Sequence, residues 1–344
     1  MLVSIIVINF NGVKFLQNCL DSVFAETEKP FEVVLVDNGS TDKSIEFIKK
    51  NFGNEGKLRL IILPKNVGAA KARNIGVQKS LGRYILILDN DTKIKKGWFD
   101  EIVSFIQKHP KLGLAQPKLL TMGTDRFNYA GDLISPFGFL IERARGVKDY
   151  GQFDKVEKIF GLNIASAFFR KEVFEKLGGF DEDYYLYWEE TDLAWRAWLA
   201  GYEVLFVPSV TVWHAYGTKE KNELYYEHRK KFYQTTYLGS RNMITTLIKN
   251  LELKNLIFIL PTNISCWLII SFLFLIQLKI KKGVAIWKGI LWNFLHLGEI
   301  LRKRQKIQTT RTINDHQLFS MVGDKRNIFY YFGKGLAYVQ GKPF

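Results

Sequence analysis

The run Arg83-Tyr84-Ile85-Leu86-Ile87-Leu88-Asp89-Asn90-Asp91 decides how this chain folds. An apolar stretch of strand length that ends in carboxylates is a buried strand delivering acids to its C-terminal edge. In open parallel sheets that edge is where ligands bind, and paired carboxylates there can hold a hard divalent cation. An Asp-Asn-Asp triplet is also an ordinary turn. The rest of the chain has to choose between the two.

On the N-terminal side, apolar strand-like runs alternate with helical patterns. Leu2 to Asn9 is followed by a helix near Gly12 to Ala25, Phe31 to Val36 by a helix from Lys43, and Leu58 to Leu63 by a helix over Ala69 to Lys79. This alternation predicts an α/β fold with a doubly wound, mixed but mostly parallel sheet. On the C-terminal side, Leu119 to Lys158 is irregular and rich in Gly and aromatics, as an insertion or acceptor loop would be. Regularity returns with a strand over Phe160 to Arg170, a short helix over Lys171 to Leu177, and a helix over Glu189 to Ala200 closed by Gly201. A strand over Tyr202 to Val207 and a long polar helix between Lys219 and Asn250 follow.

Composition separates the body of the chain from its tail. Of the net charge of +15 over 344 residues, the stretch from Asn255 onward carries +10, with 13 Lys/Arg against Glu299, Asp315 and Asp324. Leu256 to Leu278 has no charged residue and 17 apolar ones. At about 1.5 Å per residue it would reach roughly 34 Å, enough for a hydrocarbon core of about 30 Å. A simple crossing would leave the basic tail on the side opposite the body of the chain, against the preference for Lys and Arg in the cytoplasm. A re-entrant or interfacial arrangement resolves that conflict. Val284 to Leu295, with Trp and Leu at helical spacing and Arg302-Lys303-Arg304 beyond, has the pattern of a helix lying among headgroups. The other reading is a soluble helical subdomain packed by its apolar face. With only Cys19 and Cys266, no disulfide framework is expected, and the apolar start lacks the basic flank of a signal peptide.

Several further clusters carry chemistry. Asp37-Asn38-Gly39-Ser40-Thr41-Asp42 closes the second strand, where Asp37 can accept from a base N–H or a ribose hydroxyl and its neighbours can cap the next helix. Asn66 to Gly76 sets Lys71 and Arg73 at the start of a helix, a natural seat for a diphosphate. No Gly-x-Gly-x-x-Gly and no P-loop occurs, which weakens dehydrogenase and kinase readings. Glu189, Glu190 and Asp192 fall within one helical turn among aromatics. A desolvated Glu190 is a candidate general base. Val212-Trp213-His214 offers an imidazole that could complete a metal site begun by Asp91.

In their order and spacing these blocks resemble glycosyltransferase family 2, the GT-A fold of inverting, nucleotide-sugar-dependent enzymes, and especially its rhamnosyltransferase-like members that build surface polysaccharides. The matching segments are Ser4 to Gly12, Asp37 to Asp42, Asn66 to Gly76, Leu88 to Asp91, Ala165 to Asp181, Tyr187 to Arg196 and Val207 to His214. The resemblance implies a catalytic domain over 1–218, with a nucleotide-sugar half near 1–118 and an acceptor half near 119–218. A connecting helix over 219–254 and a membrane-associated helical region over 255–344 complete the expected organisation. Phe10 takes the position of the aromatic against the nucleobase, and the donor-binding set becomes Phe10, Asn11, Asp37, Asn66, Lys71, Arg73, Asp89 and Asn90. Asp91 would hold Mn2+ or Mg2+, with Asp89 on the ribose or the metal and His214 as a further ligand. Glu190 stands where the family's base is commonly Asp, and Glu189 is the alternate.

These roles imply a single displacement that moves sugar from a nucleotide-diphosphate donor to a hydroxyl of a glycan, expected to be polyprenyl-linked. The membrane surface would be met through 255–306, on the cytoplasmic face, peripherally or re-entrantly, with no nucleic acid as partner. Transfer to polyprenyl phosphate is the enzymatic alternative. A sugar-1-phosphate nucleotidyltransferase would need a Gly-rich signature with Arg where Asn9-Phe10-Asn11-Gly12 stands. A membrane-tethered nucleic-acid or assembly factor would leave the acids unexplained.

Overall fold

A computed structural model of the chain describes residues 2–26, 28–215, 232–324, 326 and 328–340. They fall into two compact units, residues 1–132, 142–197 and 202–222 in the first and 133–141, 198–201 and 223–344 in the second.

The first unit is built on a sheet whose inner strands are buried along nearly their whole length, as the unbroken apolar runs demand, while its edge strand Leu58–Ile62 is partly exposed. β1 (Val3–Asn9) lies between β2 (Phe31–Asp37) and β4 (Tyr84–Asp89), and β3 (Leu58–Ile62) flanks β2, all four parallel. Helices α1 (Val13–Phe24), α2 (Ser44–Phe52) and α3 (Ala69–Lys79) make the crossovers. After Asp89 the chain forms β5 (Thr92–Ile94), α4 (Trp98–Lys108) and β6 (Leu112–Thr121). β7 (Phe127–Tyr129), β10 (Glu157–Lys158) and β11 (Ser166–Arg170) follow, and the short β8 (Asp132–Ile134) and β9 (Leu140–Glu142), which come between β7 and β10 in the chain, belong mostly to the second unit. α5 (Lys171–Lys176), α6 (Glu189–Leu199) and β12 (Glu203–His214) close the unit's elements.

The sheet runs β10-β12-β6-β11-β4-β1-β2-β3. β11 enters antiparallel between β4 and β6, while β12 pairs parallel with β6 and antiparallel with β5. The sheet is therefore mixed and mostly parallel, as expected. Its core gathers Val7, Leu35, Leu86, Trp98 and Phe168.

Three expectations need correction. The strand placed over Phe160 to Arg170 is confined to Ser166–Arg170. Asn163 is the reason, because its side-chain oxygen accepts from the Ala165 amide at 2.9 Å and makes a turn. The irregular stretch from Leu119 begins inside β6, where Leu112 to Leu120, interrupted by Gln116 and Lys118, supplies an inner strand not anticipated from the sequence. The strand from Tyr202 extends to His214 because Thr211 to His214, beyond a register shift, pairs again with β6, and Val212 to His214 pairs with β5.

The second unit is helical: α7 (Phe232–Asn250), α8 (Leu253–Ile276), α9 (Ile280–Leu295), α10 (Leu297–Thr309), α11 (Asp315–Val322) and α12 (Ile328–Gln340). The first part of the long polar helix, residues 219–231, lies outside the described residues. Polar as α7 is, most of it is buried, and Ser240, Thr245 and Thr246 satisfy their hydroxyls on carbonyls four residues back. Its last carbonyls are capped by Arg304, Gln308 and Arg311, which also line a shallow cleft of about 480 Å³.

Candidate active site

Parallel pairing brings the C-terminal ends of β2, β1 and β4 side by side, and a chain of side chains ties them. Asn9 donates to Asp37 at 2.8 Å, and Asn90 donates to Asn9 at 2.6 Å. A Cβ on Gly12 would lie 1.7 Å from the Asn90 amide nitrogen, so only glycine lets Asn90 reach that place. Asp37 is fully buried, its second oxygen accepting from the Ser40 amide at 2.9 Å. Asn11, at φ +51°, accepts from the Thr41 amide at 2.7 Å, and Phe10 stands beside it 42% exposed. The loop is thus rigid, with one aromatic ring presented to solvent.

The acid triplet meets the end of β12. His214 is paired in register with Thr92, and the Ala215 amide donates to the Asp91 carbonyl at 2.9 Å. Asp89, Asp91 and His214 each offer one ligand atom, all within 4.8 Å of one another. His214 Nε2 lies 3.4 Å from Asp91, while Nδ1 lies 3.1 Å from the Asn128 side-chain oxygen. A proton on Nδ1, donated to that oxygen, would turn the Nε2 lone pair toward a cation at the acids. Two hard carboxylates and one imidazole suit Mn2+ or Mg2+. Opposite ligands of such an ion lie about 4.2 Å apart at bond lengths of about 2.1 Å, so the donors fit with slight closure.

Arg73, on α3, is buried and forked between two acids. It donates to Asp89 at 3.0 Å and to Glu189 at 2.8 Å. Burial opposes its charge, but the two carboxylates outweigh burial and hold it more firmly protonated than usual. From the sequence Arg73 stood as a phosphate ligand. In the structure both of its terminal nitrogens are engaged by protein carboxylates. The amides of Ala69 and Ala70, first in α3, point at the Tyr185 carbonyl at 2.7 and 3.4 Å. The helix start offered to a diphosphate is already filled. Lys71 pairs with Glu182 at 3.1 Å, and Asn66 accepts from the Gly68 amide and the Tyr185 hydroxyl.

The three acids of α6 have three different surroundings. Asp192 is fully buried and pairs with Arg196 at 2.8 Å, a structural role. Glu189 is held by Arg73. Glu190 keeps Oε2 out of solvent with no hydrogen-bond partner among the described residues. Burial, then the charge of Glu189, pushes its carboxyl well above the ordinary range. The turn leading into α6 is strained. Tyr185, Tyr187 and Trp188 all have positive φ, 64°, 68° and 72°, at about 1–3 kcal/mol each.

Sequence reasoning missed Asn9, Gly12, Asn128, Tyr129 and Asp132. Asp132 is buried with Oδ1 unpartnered among the described residues, and burial, then Glu142, pushes it up to about 7. Asn128, Tyr129 and Asp132 lie where no periodicity marked a strand. Gly12 had the one available signal, a glycine beside a strand-end asparagine.

The family model for glycosyl transferase family 2 matches residues 4–178. The chain belongs to glycosyl transferase family 2. Within the family, it is 37% identical over 109 residues to an uncharacterized glycosyltransferase of Haemophilus influenzae, covering 31% of this chain and 44% of that protein. The match thus spans less than half of that relative. Among solved structures, S. aureus TarS 1-349 in complex with UDP-GlcNAc superposes with a TM-score of 0.56 at 18% identity, over 100% of this chain and 93% of TarS. The mannosyltransferase PcManGT of Pyrobaculum calidifontis, in complex with GDP-Man and Mn2+, gives 0.51 at 15%, over 85% and 86%. At such identities the likeness establishes the fold, GT-A.

Proposed function

We propose that this family 2 member transfers a sugar from a nucleotide-diphosphate donor to a hydroxyl of a glycan acceptor, with inversion at the anomeric carbon. The observation that carries the reading is Glu190 on α6, whose Oε2 is shut off from solvent with no hydrogen-bond partner among the described residues, and whose neighbour Glu189 is linked through Arg73 to Asp89 of the candidate cation-ligand cluster. Asp91, Asp89 and His214 would hold Mn2+ or Mg2+; when bound, the ion supplies positive charge against the departing diphosphate. The donor complexes of TarS and PcManGT support a nucleotide sugar here and PcManGT supports Mn2+.

Glu190 takes the proton of the acceptor hydroxyl as its oxygen bonds to the anomeric carbon and the bond to the diphosphate breaks. Its raised proton affinity suits that task. Arg73 holds Glu189 in a buried ion pair at 2.8 Å, which engages that carboxylate away from the acceptor. Polyprenyl phosphate is the weaker acceptor, because a phosphate oxygen is already ionised at neutral pH and needs no base. The acceptor is assigned as a polyprenyl-linked glycan, met at the cytoplasmic face of the membrane through residues 255–306.

The test is Glu190→Gln. Turnover should fall by about 10² to 10⁴ while donor affinity holds. Wild-type turnover with a glycan acceptor would move the base elsewhere. In the wild type, the rate should fall as the pH is lowered through a pKa above the ordinary value of about 4.3, because protonation disarms Glu190.

A further inference from the structure

Helices α8 and α9 present apolar surface on two sides. Inward, Phe274, Ile286 and Ile290 pack with Ile244 and Ile248 of α7. Outward, α8 exposes Leu253, Ile257, Ile269, Phe272 and Ile276, spaced by helical turns. α9 exposes Ile280, Val284, Trp287, Leu291 and Phe294 in the same rhythm. Because both helices pack on α7, the outward stripes lie on the side away from it. Trp287 is 54% exposed and Phe272 63% exposed, more apolar surface than water tolerates without a partner.

By length and composition α8 could cross a membrane, with 24 residues that include an 18-residue stretch of mean hydropathy 2.1. Its attachment to α9 argues against this. The two are joined by Gln277 to Lys279, and the Ser271 hydroxyl donates to the Gly283 carbonyl at 2.9 Å. A Cβ on Gly283 would meet Leu275 at 2.8 Å, so the helices touch backbone to side chain. A crossing α8 would take α9 with it. Yet α9 has 16 residues, about 24 Å, short of a core of about 30 Å. It also exposes Lys288 at mid-length, beside Trp287 on the outward face. Lys279 and Lys281 are exposed at the tip of the pair. These cations fit headgroups and not hydrocarbon.

We infer that α8 and α9 lie together in the plane of an anionic bilayer surface and that neither crosses it. Phe272, Trp287 and Leu291 reach the acyl boundary, while Lys281 and Lys288 lie among acidic headgroups, with Arg302 and Lys303 of α10 adding charge. This deepens the membrane contact proposed above, and it needs no donor chemistry.

The experiment floats the full chain with vesicles of phosphatidylcholine, with and without phosphatidylglycerol. Flotation should require the anionic lipid, weaken in high salt, and fall by about tenfold or more in Lys281→Glu/Lys288→Glu, which disturbs no buried contact. Trp287→Glu/Leu291→Glu should abolish it with thermal stability retained. Lys281→Cys in a Cys266→Ser background should react with an impermeant maleimide added outside the vesicles. Protection of that cysteine, together with resistance to alkaline extraction, would establish crossing and overturn the inference. Absence of flotation on either lipid would overturn it too. Glu190→Gln should float like the wild type, so an inactive protein that floats removes the enzyme reading alone, and an active one that does not float removes this inference alone.

Discussion

Two acidic clusters, Asp89-Asn90-Asp91 and Glu189-Glu190-Asp192, look alike on paper and behave differently in the fold. At the end of β4 the side chains converge, because neighbouring strands finish at one edge and β12 brings His214 to it. On α6 they diverge, since successive residues of a helix point about 100° apart and each acid meets its own neighbour. A strand-end cluster thus offers one candidate ligand set. A helical cluster is three separate residues.

That contrast can be broken by substitution. The largest effect is expected of Asp91→Asn, which should bring transfer to background and remove the metal-dependent thermal shift given by a nucleotide sugar. That shift amounts to about 2.7 kcal/mol at 100 times the dissociation constant in the wild type. A normal shift in the variant would separate Asp91 from the cation. Arg73→Met comes next, because it leaves Glu189 and Asp89 without their shared counter-charge. Stability should fall by about 3–5 kcal/mol in denaturant unfolding, as for a buried pair that loses one member. A fall under about 1 kcal/mol would mean that the two clusters are not coupled through this side chain.

A smaller effect should follow Asn128→Ala, which frees the Nδ1 side of His214. Metal affinity measured by titration should drop by about 10- to 100-fold with the fold intact. Unchanged affinity would show that the ring is oriented by something else. Least of all is Asp132→Asn. In the folded chain Asp132 titrates near 7, above its unfolded value of about 3.9, so its favourable contribution is full below about pH 4 and lost as pH rises through 7. The variant should therefore melt higher than wild type at pH 8 and no higher at pH 4. Equal melting at both would place Asp132 in water.

The strand–helix alternation up to Asp89 was legible because burial on both faces leaves unbroken apolar runs, and the observed bounds of α3 agree to the residue. Less was legible between Leu119 and Lys158, where short strands and turns carry Asn128, Tyr129 and Asp132 without any period. Lys71 and Arg73 illustrate a different limit. Both are cations at one helix start, yet Lys71 is half-exposed on Glu182 while Arg73 is buried between two acids. Sequence patterns report which residues share a face, and partners from distant segments decide what each cation does there.

The amino-acid sequence alone determined the class of fold, the edge of the sheet where the candidate site lies, and the apolar, basic character of the last quarter. Those properties follow from periodicity and from the common direction of parallel strands. Only the tertiary structure decided which acid of α6 keeps a carboxylate oxygen without a partner among the described residues. Glu189 meets Arg73 across 116 residues of chain, Asp192 meets Arg196 one turn away, and Glu190 meets neither. Contact over such a separation is set by how the sheet and helices pack, and a carboxylate takes its proton affinity from that environment.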